Sequence, residues 1–172
     1  MNTVSSFKPL ALPYARILIL GSMPGVESLQ RQQYYAHPRN GFWPIMAKIA
    51  GFDASAPYGK RVEALTQSGV AVWDVLARCI RSGSLDSAIE RHDRVYNRFA
   101  DFFDAHPGVA LVCFNGAEAK RSFDRAVLPT LAARTIRYVQ LPSTSPAHAV
   151  PFQQKLDVWR AELGPHLGKL PS

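Results

Sequence analysis

Residues 17–46 read ILILGSMPGVESLQRQQYYAHPRNGFWPIM, and this stretch decides the fold. It opens with an apolar, β-branched run that stops at Gly21 and passes through Ser22, Met23, Pro24 and Gly25. An apolar run without polar alternation suits a central strand covered on both faces, so a strand is expected over 16–20. Gly and Pro end it and place the next residues at the carboxyl edge of a sheet, where open α/β folds bind ligands. A polar loop with two tyrosines, a His-Pro and an Arg-Asn follows. Phe42, Ile45, Met46 and Ile49 then recur at helical spacing, with Gly51 as a stop. Pro44 is tolerated only in a first turn, so this helix begins near Phe42 or Trp43.

The same alternation of strand and helix continues outward. Residues 1–15 read as a lead-in, because Pro9 and Pro13 deny them a regular ladder. A turn over 53–58 leads to a helix over 60–67, with Val62 and Leu65 inward and Gly69 ending it. Residues 70–75 (VAVWDV) form the second strand, 78–83 a basic loop, and 84–89 a short helix capped by Ser84. Val95, Phe99, Phe102 and Phe103 predict a helix over 93–105. A buried strand over 109–114 closes at Asn115 and Gly116, and Ala119, Phe123 and Val127 share a face of a helix over 117–127. The last strand, 136–141, stops at Pro142, and Pro151 opens a helix over 152–163. Strands separated repeatedly by helices mean a mostly parallel sheet in a three-layer α/β/α domain, here one domain over 1–172.

With 47% apolar and 19% charged residues the chain has the composition of a globular protein. Its net charge of +7, mainly from arginine, makes nucleic acid the leading partner class. Cys79 and Cys113, alone and far apart, exclude a four-thiolate metal site and a disulfide framework, and fit a reducing, intracellular (cytoplasmic) location. Lys8, Pro9 and Pro13 interrupt the N-terminal apolar residues, which excludes a signal peptide or membrane span there.

Three strand ends carry the unusual residues: GSMPG and the HPRN loop, then Trp73 and Asp74, then LPSTSPAHA. The turn at Asn115 and Gly116 adds polar groups on the same edge. GSMPG, YYAHPRNGFWPI, WDVLARCIRSGSLDSAI, CFNGAEAKRSF and LPSTSPA, in that order from Arg16 to Trp159, resemble the uracil-DNA glycosylase superfamily. Within it the resemblance is greatest to the hypoxanthine-DNA (DNA-deoxyinosine) glycosylase family. The resemblance implies a central four-stranded parallel sheet between helices. It also implies hydrolysis of the N-glycosidic bond of a deaminated base flipped out of double-stranded DNA, in base excision repair, by a monomer needing no cofactor or metal.

Residue by residue, the resemblance puts the catalytic asparagine at Asn40 and an aromatic platform for the base at Tyr35. Gly21, Ser22, Met23, Pro24, Asp74 and Asn115 belong to the base pocket. Ser143, Thr144, Ser145, Pro146, Ala147 and His148 match the loop that enters the minor groove, with Ala147 or His148 as wedge. Arg39, Arg78 and Arg81 are candidate phosphate contacts. Two departures stand out. Ser22 and Met23 occupy a turn where many members place Asp or Asn, and Leu141 stands where many have His or Asn.

Several residues keep two readings. Asn40 also suits a helix cap ahead of FWPIM, and Asp74 contacts base or water or caps a neighbouring helix. Tyr34 is expected to point away from the base, and His37 to be structural. An asparagine has no proton to exchange, so Asn40 can only orient water or hydrogen-bond developing charge. Lys48 and Lys60 lie in helices outside the loop, and without a nearby amine the enzyme is monofunctional. Other readings of the chain are a uracil or xanthine substrate, a DNA-binding module that has lost catalysis, and a serine esterase through Ser22.

Overall fold

The apolar runs form the middle layer of the structure, a computed structural model that describes residues 2–168. In chain order the elements begin β1 (Asn2–Ser5), β2 (Ile17–Gly21), α1 (Val26–Arg31), α2 (Phe42–Ala50), α3 (Tyr58–Gln67) and β3 (Val70–Asp74). They continue β4 (Leu76–Arg81), β5 (Val95–Tyr96), α4 (Phe99–Ala105), β6 (Leu111–Asn115), α5 (Ala117–Ser122), β7 (Arg137–Leu141) and α6 (Phe152–Leu163). The main sheet has the order β3-β2-β6-β7 with every pair parallel.

Strand side chains alternate between faces, which explains why β2 is apolar throughout. Ile17 and Ile19 pack with Phe42, Ile45, Leu65 and Trp159 beneath α2, α3 and α6. Leu18 and Leu20 pack on the other side with Phe99, Phe103 and Phe123 beneath α4 and the end of α5. This is the expected three-layer α/β/α fold. Among the described residues no helix is long and apolar enough to cross a membrane. Cys79 and Cys113 are buried free thiols.

Four expectations need correction. Residues 2–5 are no irregular lead-in but β1, which pairs antiparallel with β4. Pro9 and Pro13 follow β1 and so do not interrupt it, and Leu10 between them still bridges Val72. Residues 76–81 form β4 instead of a basic loop, with Leu76, Cys79 and Arg81 buried on it. The helix expected from residue 93 starts only at Phe99, because Val95 and Tyr96 pair with β4 as β5 and Asp93 has a φ of 57°. The polar loop after Gly21 contains the short helix α1. The helix over 117–127 is continuous but changes to a π-type turn over Phe123–Val127, still burying Ala119, Phe123 and Val127.

The small sheet β1-β4-β5 positions the site. Met23, from the turn after β2, packs against Leu76, Cys79 and Ile89, so β4 seats that turn from below.

Candidate active site

Parallel register brings the functional strand ends level. Gly21 pairs with Asp74 and Asn115 with Leu141, all at the carboxyl edge. A cavity of about 570 Å³ opens over this edge between the GSMPG turn, the Tyr35–Asn40 loop, the 84–87 turn and the 143–148 loop. Of the expected site residues, Gly21, Ser22, Met23, Pro24, Tyr35, Asn40, Asp74, Asn115 and residues 143–148 all line it. Arg39 is exposed and outside the lining.

The turn is clamped from several directions. Backbone N–H groups of Val75 and Leu76 donate to the carbonyls of Gly21 (2.8 Å) and Ser22 (3.1 Å). Arg81, only 1% exposed, donates to the carbonyls of Met23 and Pro24. Arg81 is therefore not a phosphate contact. A buried guanidinium needs acceptors, and the turn supplies them. Ser84 Oγ accepts the Val26 N–H at 2.8 Å instead of capping a helix of its own, which is only one 3₁₀ turn (Asp86–Ala88). Ser22 Oγ donates to Asp86 Oδ1 at 2.5 Å. Its partner is an acid and not a histidine, so the esterase reading has no triad here.

Tyr35 adopts a φ of 54° and stacks on Phe42, with centroids 4.1 Å apart and planes at 23°. Phe42 thus supports the ring from one side, while the hydroxyl is buried without a hydrogen-bond partner among the described residues. Tyr34 turns away as expected, its hydroxyl donating to the Lys8 carbonyl at 2.9 Å. His37 Nδ1 accepts the Arg39 N–H at 3.1 Å and its carbonyl accepts the Asn40 N–H at 2.9 Å, so it shapes the HPRN turn.

Asn40 precedes Gly41, the N-cap residue of α2, and holds the start of that helix. Its Oδ1 accepts the Phe42 N–H at 3.0 Å, satisfying an orphan donor at the start of α2. That bond fixes the amide's orientation, and its two Nδ2 hydrogens have no acceptor among the described residues. Toward a ligand this amide can offer N–H groups.

The 143–148 loop is anchored at its base. Asn115 donates from Nδ2 to Thr144 Oγ1 and accepts the Thr144 N–H at Oδ1, both at 2.9 Å. Thr144 is 1% exposed, so its side chain locks the loop from within instead of facing DNA with the rest of that loop. Its carbonyl accepts the Gly41 N–H at 2.9 Å, tying this loop to the one carrying Asn40. Trp159 Nε1 donates to the Pro142 carbonyl (2.9 Å) and Lys155 Nζ to the Ser145 carbonyl (3.1 Å). Pro146, Ala147 and His148 form the exposed tip.

Two carboxyl groups set the electrostatics. Asp74 is 3% exposed and its Oδ2 has no hydrogen-bond partner among the described residues. Burial first, then the charge of Asp86, push its carboxyl up to about 7 against the pull of Arg81. Asp86 is also raised by burial, while the Ser22 hydroxyl, Arg81 and Arg121 pull it down. Water reaches Asp86 more readily, and Asp74, the drier of the two, keeps its proton nearer neutrality. Gly21 makes room for this group: a Cβ there would lie 2.6 Å from Asp74 Oδ1 and 3.2 Å from the Tyr35 hydroxyl.

The raised Asp74 makes stability depend on pH. The native state holds a proton that the unfolded chain has lost, so stability is fullest below the ordinary carboxylate range and falls as pH rises through about 7. Asp74→Asn is expected to be more stable than the unsubstituted protein above pH 7, with the gap closing towards pH ~4. Urea denaturation at the two ends of that range measures it.

Sequence reading missed Asp86 in the cavity lining and Trp159 and Lys155 as supports of the 143–148 loop, and it assigned Arg81 to phosphate instead of to the turn. Lys155 does lie against the loop, but its amine is held by the Ser145 carbonyl and it does not line the cavity.

Residues 9–163 match the family model of the uracil DNA glycosylase superfamily. The chain is 40% identical over 114 residues to the hypoxanthine DNA glycosylase of Methanosarcina barkeri, covering 66% of this chain and 71% of that one. It is 34% identical over 146 residues to the hypoxanthine DNA glycosylase of Methanosarcina acetivorans, covering 84% and 88%. A solution NMR structure of a proposed uracil DNA glycosylase from Methanosarcina acetivorans superposes with a TM-score of 0.77 at 29% identity, over 93% of this chain and 98% of that one.

Proposed function

This chain belongs to the uracil DNA glycosylase superfamily and is a DNA glycosylase, and on that footing we propose that it releases hypoxanthine from deoxyinosine in double-stranded DNA. The target nucleotide swings out of the stack into the cavity, which costs a few kcal/mol and is easiest at a mispaired base. Relatives named for hypoxanthine support the choice of base. The observation that carries the mechanism is the Asn40 amide, oriented by Phe42 with its N–H groups free.

Breaking a purine glycosidic bond builds positive charge on the sugar and negative charge on the base. Preorganised donors aimed at the developing charge lower that barrier. Asn40 donates to the departing base, and Tyr35, backed by Phe42, supplies an aromatic face for it. Hypoxanthine spreads negative charge over its oxo-purine ring, so a neutral donor suffices where adenine would need an acid. Asp74 contacts the base from beneath Gly21. At the mouth of the cavity Pro146, Ala147 and His148 meet the minor groove, and Arg39, outside the lining, meets phosphate.

A panel of duplexes, each with one deoxyinosine, deoxyuridine or deoxyxanthosine, tests the reading by chromatography of the free bases. Hypoxanthine is expected to be released fastest. Release of uracil alone would assign another substrate, and salt-dependent binding without release on any duplex would mean a binding module.

A further inference from the structure

Hydrolysis needs a group that accepts a proton from the attacking water, and Asn40 is not one. Its oxygen is engaged by Phe42 and its nitrogen only donates. The carboxylates lining the cavity are Glu27, Asp74 and Asp86. Glu27 pairs with Arg31 at 3.4 Å, and Asp74 is dry and holds a proton near neutrality. Asp86 is linked into the cavity by the 2.5 Å bond from Ser22, itself only 6% exposed.

We propose that Ser22 and Asp86 form the proton path for the attacking water, Ser22 Oγ holding the water and Asp86 acting through Ser22 as positioning residue and final acceptor. This rests on the glycosylase reading above. With its hydrogen committed to Asp86, Ser22 Oγ turns its lone pairs outward and accepts a hydrogen bond from water, strengthened by the charge behind it. A water lone pair forms the bond to C1′ as the C1′–N9 bond breaks and its electron pair passes to the purine. The water proton moves to Ser22 Oγ, the Ser22 hydroxyl proton moves to Asp86, and Asp86 later returns it through solvent to the released base.

The geometry is held on all sides. Ser84 fixes the 84–87 turn to Val26 at the start of α1, and Arg81, the last residue of β4, holds the Met23 and Pro24 carbonyls of the GSMPG turn. The charged groups facing Asp86 are Asp74 on β3, Arg81 on β4, and Glu118 and Arg121 on α5. Asp86 accepts a proton only when ionised, and its carboxyl lies above the ordinary range, so the rate falls on acidification earlier than an exposed carboxylate would dictate.

Single-turnover rates from pH 5 to pH 8, for the unsubstituted protein, Asp86→Asn, Ser22→Ala and the double variant, test the path on whichever deaminated-base duplex the panel shows to be cleaved. Each single substitution is expected to lower the rate by about 10²-fold or more with duplex affinity unchanged. The double variant is expected to be no slower than the worse single one, and Asp86→Asn to lose the acid limb. An Asp86→Asn protein that cleaves within threefold of the unsubstituted one overturns the path, as does a retained acid limb. If Asp86→Asn does not fold, Ser22→Ala decides by the same rate criterion. Cleavage of uracil instead of hypoxanthine would refute the substrate while leaving this comparison valid, and no cleavage of any duplex would refute both.

Discussion

Asn40→Ala is expected to lower the single-turnover rate of base release by about 10²–10³-fold, the loss seen when one preorganised donor to developing negative charge is removed. Affinity for the damaged duplex should change little, because the 143–148 loop and the net charge of +7 remain. The same substitution leaves the Phe42 N–H without its acceptor, at a cost of about 0.5–2 kcal/mol in urea denaturation. Asn40→Asp separates the two contributions. An aspartate keeps an oxygen for Phe42 but has no N–H groups, so it should retain stability and still lose activity. An active Asn40→Asp protein would show that Asn40 acts as an acceptor and not as a donor.

Trp159→Ala carries the largest expected stability effect, about 3–5 kcal/mol, read from the urea midpoint. Trp159 is fully buried, meets Phe42 edge-on at 6.1 Å, and donates to the Pro142 carbonyl. Its loss removes packing beneath the Phe42–Tyr35 stack and frees the entry to the 143–148 loop, so activity should fall even where the protein remains folded. Trp159→Phe retains most of the volume and leaves the Pro142 carbonyl unpaired, an expected cost of about 1–3 kcal/mol.

The main sheet was legible because a strand covered on both faces must be apolar at every position, and ILIL over 17–20 has no other economical reading. Helices α2 and α6 were legible through Pro44, Gly51 and Pro151, residues tolerated only at helix ends. By contrast β1 and β5 are short and partly exposed, and they take their register from β4. β4 was hidden because Arg78 and Arg81 suggest solvent, whereas Arg81 is buried on turn carbonyls.

In the site, the strand-end motifs lead to the carboxyl edge of the sheet, where the cavity opens. Asp86 was not legible as a site residue: GSLDS reads as a turn, and only tertiary structure sets it against Ser22, 64 positions away. Thr144 reads from sequence as one of the DNA-facing residues of its loop, whereas its paired bonds to Asn115 hold it inward. At Asn40 the sequence supports both a residue at the helix start and a catalytic amide. In the folded chain its oxygen serves the Phe42 N–H, and its N–H groups have no acceptor among the described residues.

The most direct measurement is the time course of free hypoxanthine released from a duplex with one deoxyinosine, by the unsubstituted protein and by Asn40→Ala at matched folded concentration. Release by the first and almost none by the second is the predicted result. Equal rates from both proteins, or no hypoxanthine from either, would contradict it.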